Sequence, residues 1–124
     1  MMKTYNYLNG GFYVIFGLFG ALMPLKLAAL MGWTPDLLGM HEIRATFFAI
    51  AALGILLCLF VSQNRDQRLI TMSLIFVTLA LAAGRCLGLL LDGTGPMQTY
   101  YELGFEIIWS GIGWLLMSRS KTPA

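Results

Sequence analysis

The chain has 124 residues, of which 58% are hydrophobic and 11% charged, and its formal net charge is +2. Soluble domains carry about 25% charged residues, so this composition excludes a water-exposed globular fold and favours an all-α integral membrane protein. The small net charge, without a basic run, excludes nucleic-acid binding.

Four apolar segments are each long enough to cross a bilayer, which takes about 20 residues of helix. The connections between them are short and contain polar residues, Pro or Gly, and short connections favour antiparallel neighbours. The sequence therefore predicts a single transmembrane domain over residues 1–124, folded as an antiparallel four-helix bundle. The predicted spans, in chain order, are 7–23, 37–62, 69–91 and 97–117. After the first span, residues 25–31 are expected to lie along the membrane interface.

Lysines and arginines are unevenly distributed between the two sides of this bundle. With four spans, both termini and the loop after the second span lie on the same side. Loops rich in these residues stay in the cytoplasm, so we expect a bacterial cytoplasmic (inner) membrane protein with both termini cytoplasmic. The cations on that side are Lys3, Arg65, Arg68, Arg119 and Lys121.

Arg85 lies inside the third span, which has no other charged side chain. An arginine at the centre of the hydrocarbon costs about 2.5–3.5 kcal/mol on insertion scales, so it usually faces the protein interior and has a partner. Seven-residue spacing places it on one helical stripe with Thr71, Thr78 and Asp92. Lipid cannot satisfy these polar groups, so the stripe should face inward.

Small residues also surround Arg85. Ala80, Gly84 and Gly88 follow one another at four-residue spacing. Runs of this kind let helix backbones approach closely in membranes. We therefore expect the backbone of a neighbouring helix of the same chain to pack beside Arg85, and homodimerisation through this run is the alternative.

The last span carries a second polar stripe, in which Glu102, Glu106 and Ser110 repeat every four residues. Arg85 in the third span and Glu106 in the last span lie in the outer half of the bilayer, as does the polar start of the second span. We predict that they line one polar cavity, as a ligand-binding or ion-pair cluster of Glu42, Arg44, Arg85, Asp92, Glu102 and Glu106. Possible accessory residues are His41, Thr78 and Ser110.

Each of these residues also has a purely structural explanation. Arg85 paired with a glutamate would fix helix register, and Arg44 would extend to lipid headgroups. Glu42 and Asp92 would be solvated acids at helix ends. The chain has one histidine and no CxxC or HExxH motif, so no metal site and no cofactor are predicted.

Several short motifs together resemble a known family. They are Glu42-Ile43-Arg44-Ala45, Gly84-Arg85, Asp92-Gly93, and Glu102 or Glu106. In this order and spacing they resemble the bacterial membrane family catalogued as domain of unknown function 4345, over residues 7–117. The resemblance implies four transmembrane helices and supports the candidate residues, but it supplies no activity. A weaker, architectural likeness is to the DoxX-like membrane proteins, which have a Gly-Arg in a late helix.

The predicted cavity favours a binding role. Arg44 and Arg85 would contact an anionic or carbonyl group of an amphipathic, lipid-like ligand, and the glutamates would balance their charge. We expect a small accessory protein whose partners are the bilayer, this ligand, and a partner membrane protein or a second copy of the chain. Two alternatives remain open: a dimeric small transporter, and an intramembrane enzyme with Glu106 as acid or base. Because no reaction is indicated, a non-enzymatic role is favoured.

Overall fold

The structure, a computed structural model, describes residues 1–120. Over that range the chain is all-α, as its composition predicts, and Lys121, which was counted for the orientation, lies outside the described residues. The helices in chain order are α1 (Met2–Leu22), α2 (Pro24–Met31), α3 (Leu37–Ser62), α4 (Gln67–Leu91) and α5 (Met97–Arg119).

Membrane-spanning character differs among these helices. Of the helices in the described part of the chain, α3 and α4 are each long and apolar enough to cross a membrane. The pair α1 and α2 qualifies only as one span that is bent by 107°. Gln98, Glu102 and Glu106 make α5 more polar. The membrane-embedded, all-α character is therefore supported, and the four-span bundle stays a prediction.

The chain divides into two compact units. Asn6–Arg65 forms one, which we call the bent-helix unit because it contains the bend between α1 and α2. Met1–Tyr5 and the described residues from Asp66 onward form the other, which we call the hairpin unit because it contains α4 and α5. The single transmembrane domain over residues 1–124 concerns both units together and stays a prediction.

In the bent-helix unit, the backbones of α1 and α3 are in direct contact. A Cβ atom on Gly54 would lie 2.6 Å from both the carbonyl oxygen of Gly10 and the backbone nitrogen of Val14. A Cβ atom on Gly17 would overlap the backbone of α3 at Phe47 and Ala51. Such approach is possible only where side chains are absent, so these glycines fix the α1–α3 distance.

The bend between α1 and α2 occurs at Pro24, which has no N–H to continue the helix. Met23 leaves helical geometry there, with φ −125° and ψ 58°. Beyond the bend, Leu27 is buried in a small apolar core with Ala21 and Phe47. The short helix α2 ends at Gly32, whose φ of +69° places it in the left-handed region that favours glycine.

The hairpin unit is an antiparallel pair of α4 and α5 with the first residues of the chain packed against α5. Asp66 caps α4, because its carboxylate accepts hydrogen bonds from the backbone N–H groups of Arg68 at 3.0 Å and Leu69 at 3.1 Å. The ring of Tyr5 stacks on Trp109, with centroids 5.0 Å apart. Its hydroxyl donates to the Trp109 carbonyl at 3.1 Å.

The small residues beside Arg85 do not act as predicted. Among residues 1–120, no atom lies within 4 Å of a Cβ built on Gly84, and a Cβ on Gly88 would meet only the Asp92 carboxylate, at 3.9 Å. The predicted approach of a neighbouring backbone is therefore wrong for the described residues. The close backbone contact lies instead at the glycines of α1 and α3.

Candidate functional site

Arg85 is held between two carboxylates of α5. Its Nη1 lies 2.6 Å from Oε2 of Glu102. Its Nε donates to Oε1 and Oε2 of Glu106, at 3.1 and 3.2 Å. We call these three residues the Arg85 cluster. The two glutamates are one helical turn apart, so a guanidinium extending from α4 reaches both at once.

The amide of Gln98 extends the cluster by one further turn of α5. Its Nε2 donates to Oε1 of Glu102 at 2.9 Å. Glu102 therefore has one oxygen on the guanidinium and the other on an amide, so its side chain is fixed in position. The contact between Gln98 and Glu102 was not predicted from the sequence, although their i, i+4 spacing on α5 is the signal for it.

The Arg85 cluster contains two carboxyl groups and one guanidinium. Within residues 1–120 neither glutamate pairs with a cation other than Arg85. The Glu106 side chain is only 9% exposed, whereas those of Arg85 and Glu102 are 31% and 26% exposed. An ionised group in a low-dielectric environment is costly unless it is paired, and a single ion pair with Arg85 needs only one of the two carboxyl groups.

Ser110 lies on α5 one turn after Glu106 and is 3% exposed. Its hydroxyl has no hydrogen-bond partner in the described part of the chain. The buried threonines of α4 differ in this respect, because Thr71 and Thr78 each donate to the carbonyl four residues earlier, at 2.8 Å. A buried polar group without a partner costs about 1–3 kcal/mol. Ser110 is thus a buried, unsatisfied polar group of α5 within residues 1–120.

Arg44 belongs to the bent-helix unit and contacts a backbone carbonyl. Its Nη1 donates to the carbonyl oxygen of Ala21 at 2.7 Å, and Ala21 is fully buried. In an unbroken helix the N–H of Leu25 would bond this oxygen, but the bend at Pro24 removes it. Arg44 therefore replaces a missing helical hydrogen bond. The proline three residues after Ala21 is the sequence signal that could have indicated this role.

Replacing Arg44 by alanine is expected to lower the free energy of unfolding by about 1–3 kcal/mol, since it leaves a buried carbonyl without a donor. Arg44→Lys should lose less, because an ammonium can still donate. Denaturant unfolding in detergent, followed by circular dichroism, measures both. Thr46→Ala, at an exposed position of the same helix, is the control. An Arg44→Ala protein as stable as this control would contradict the assignment.

The other predicted residues lie at helix ends on the protein surface. Asp92 is exposed and closes α4, with its backbone N–H donating to the Gly88 carbonyl at 2.8 Å. It does not join the ion pairs of Arg85. His41 and Glu42 are exposed in the first turns of α3. The structure thus brings together Arg85, Glu102 and Glu106, and the larger grouping with Glu42, Arg44 and Asp92 stays a prediction.

Comparison with known families gives a match to the model described as domain of unknown function (DUF4345), over residues 1–117. The chain belongs to this family. No curated protein and no solved structure matches the chain significantly. The DUF4345 match includes the whole Arg85 cluster, Gln98 and Ser110. The likeness to DoxX-like proteins and the bacterial origin stay predictions.

Proposed function

We propose that this DUF4345 protein is an accessory protein of the bacterial cytoplasmic membrane that binds an amphipathic ligand. The proposed architecture is an antiparallel four-helix bundle with both termini in the cytoplasm. The Arg85 cluster would hold the polar head of the ligand, and the apolar faces of the helices would accommodate its chain. The ligand would come from the bilayer or from a partner membrane protein that the chain assists.

The observation that supports this proposal is the excess carboxylate at Arg85. Fixing the register of α4 against α5 requires one ion pair, and one glutamate would complete it. The second glutamate adds a buried charge, which a purely structural pair would not need. In membrane segments such residues commonly mark binding sites or ion pathways. A ligand that compensates the charge would account for both glutamates.

A co-purification experiment tests the binding. The full chain, extracted in a mild detergent, is expected to carry a bound amphiphile in native mass spectrometry. Glu106→Gln should lose it, because the substitution removes the excess charge while keeping the shape of the side chain. Asp66→Asn is the matched control: it makes the same carboxylate-to-amide change at an exposed helix cap, where asparagine also caps well. The absence of a bound species from both wild type and control would contradict the proposal.

The proposed orientation has a separate test. In a background without Cys58 and Cys86, a cysteine introduced at Gly95 is expected to react with a membrane-impermeant maleimide added to intact spheroplasts. A cysteine at Gln63, in the loop between α3 and α4, should react only after lysis. The opposite pattern would invert the topology.

The alternatives drawn from the sequence, a dimeric small transporter and an intramembrane enzyme with Glu106 as acid or base, stay predictions. The transporter would use Glu102 or Glu106, and the enzyme would use Glu106. Neither is favoured by a particular contact of the Arg85 cluster.

A further inference from the structure

We infer that Arg44 binds the phosphate group of an anionic phospholipid at the bend between α1 and α2. Arg44 belongs to the bent-helix unit and makes no ion pair of the Arg85 cluster. The inference therefore goes beyond the proposed function and does not depend on it. From the sequence, Arg44 was expected to extend freely to lipid head groups, whereas the structure attaches its guanidinium to the main chain.

Most of the hydrogen-bonding capacity of Arg44 is unused. Its Nη1 donates to the Ala21 carbonyl at 2.7 Å. Within residues 1–120 it makes no other hydrogen bond and no ion pair, not even with the nearby Glu42. A guanidinium is always charged and carries several N–H donors in one plane. The remaining donors and the positive charge of Arg44 are therefore available to an anion.

The hydrogen bond to Ala21 orients these remaining donors. A long side chain loses rotational freedom when it binds a ligand, and this loss weakens binding. Here the buried carbonyl of Ala21 already holds one side of the planar guanidinium, so less freedom remains to be lost. A fork of N–H donors held in this way matches the oxygens of a phosphate group.

The start of α2 adds positive potential at the same bend. α2 begins at Pro24, three residues after Ala21, and three residues of chain span at most about 11 Å. No side chain caps this helix start, and the backbone N–H groups there carry partial positive charge. Lys26, in the first turn of α2, is a second cation without an ion pair within residues 1–120.

The surface around the bend suits the acyl chains of a lipid. Leu22, Met23 and Leu25 are all large, apolar and exposed. A cation bordered by exposed apolar side chains matches an amphiphile whose head group is anionic. A head group with a cationic part, such as choline, would bring a like charge toward Arg44 and Lys26, so a net negative head group is favoured.

The depth of Arg44 in the membrane agrees with a lipid phosphate. α3 has 26 residues, and at about 1.5 Å per residue it matches the full bilayer thickness of about 40–45 Å. Arg44 follows the first residue of α3, Leu37, by about 10 Å along the axis. The head-group layer is about 5–8 Å thick on each side. The guanidinium thus lies near the boundary between head groups and hydrocarbon.

The same phosphate chemistry could come from a lipid or from a free phosphate ion, and three probes distinguish them. The purified full chain in detergent is titrated with dioctanoyl phosphatidylglycerol, dioctanoyl phosphatidylcholine and inorganic phosphate. The two lipids have equal chains, so they partition similarly into the micelle and a difference in affinity reports the head group. Titration calorimetry should show phosphatidylglycerol binding at least about tenfold more tightly than phosphatidylcholine.

The temperature of unfolding gives a second readout. One guanidinium would hold both the Ala21 carbonyl and the phosphate, so a bound head group should stabilise the bend. Phosphatidylglycerol is therefore expected to raise the unfolding midpoint more than phosphatidylcholine does. Equal affinity for the two lipids, or no binding of either, would overturn the inference. Inorganic phosphate binding as tightly as phosphatidylglycerol would overturn the lipid and assign the site to a free ion.

Variants of Arg44 locate the binding. Arg44→Lys keeps the charge and a donor for Ala21 but lacks the planar fork, so it should bind phosphatidylglycerol several-fold more weakly. Arg44→Ala should lose the preference for phosphatidylglycerol. Arg119→Ala, which removes an exposed arginine from the last turn of α5, should bind like wild type. A wild-type affinity in folded Arg44→Lys would overturn the assignment even if Arg44→Ala fails to fold. Equal losses in Arg44→Ala and Arg119→Ala would also overturn it, because they would indicate unspecific attraction.

Discussion

Replacing Arg85 by alanine is expected to lower the free energy of unfolding by about 3 kcal/mol. Removing one partner of a buried ion pair costs about 3–5 kcal/mol, because it leaves an uncompensated charge. We expect the lower end of this range because the Arg85 side chain remains 31% exposed. The variant leaves Glu102 and Glu106 facing each other without a cation, and their mutual repulsion adds to the loss. Denaturant unfolding of the detergent-solubilised protein measures it.

Two comparisons show whether the loss comes from charge. Arg85→Ala combined with Glu106→Gln should recover part of the stability, because the most buried carboxylate is then neutral. Arg119→Ala, at an exposed position in the last turn of α5, should change the stability little. If Arg85→Ala unfolds like Arg119→Ala, the Arg85 cluster contributes nothing to stability and the pairing described above is wrong.

Replacing Gly17 by alanine is expected to lower the free energy of unfolding by about 1–3 kcal/mol, and by more if α3 cannot move. The added methyl group would overlap backbone atoms of Phe47 and Ala51, and a backbone cannot rotate away as a side chain can. The two helices must therefore separate. Thermal and denaturant unfolding followed by circular dichroism report the change.

Gly11 in the same helix provides the matched control. No described atom lies within 4 Å of a Cβ built there. Gly11→Ala should therefore leave the stability unchanged or raise it by up to about 1 kcal/mol, as expected from helix propensity. The two substitutions are chemically identical, so opposite signs isolate the contact with α3. Equal effects would contradict close packing of α1 on α3.

The hairpin unit is the part of the fold that sequence reasoning describes best. Its helices are joined by a short turn, and each is mostly apolar with a few polar side chains at regular spacing. Spacing of seven along α4 and four along α5 therefore indicates which faces meet, and the pairing of Arg85 with Glu102 and Glu106 follows. The short connection between α4 and α5 and the polar pattern of the two helices predict the same pairing.

The bent-helix unit was harder to predict for a physical reason. Most faces of α3 are apolar beyond its first turns, so hydrophobicity does not show which of its sides is packed. In α1 the buried Asn6 and Asn9 are polar signals that the sequence analysis did not use. Close helix packing was predicted at Ala80, Gly84 and Gly88. The close backbone contact between α1 and α3 is instead made at Gly10, Gly17 and Gly54. The partner of Arg44 is a main-chain oxygen, and the feature of the sequence that points to it is Pro24, where the helix bends.

The packing of Tyr5 has a consequence for the order in which this protein matures during synthesis. Its ring and hydroxyl contact Trp109, and a Cβ on Gly113 would lie 2.7 Å from the Tyr5 hydroxyl, so this position suits glycine. The chain emerges from the ribosome amino terminus first, so Tyr5 is made 104 residues before Trp109. The segment that contains Tyr5 must therefore wait for these residues to be synthesised before its contact with α5 can form.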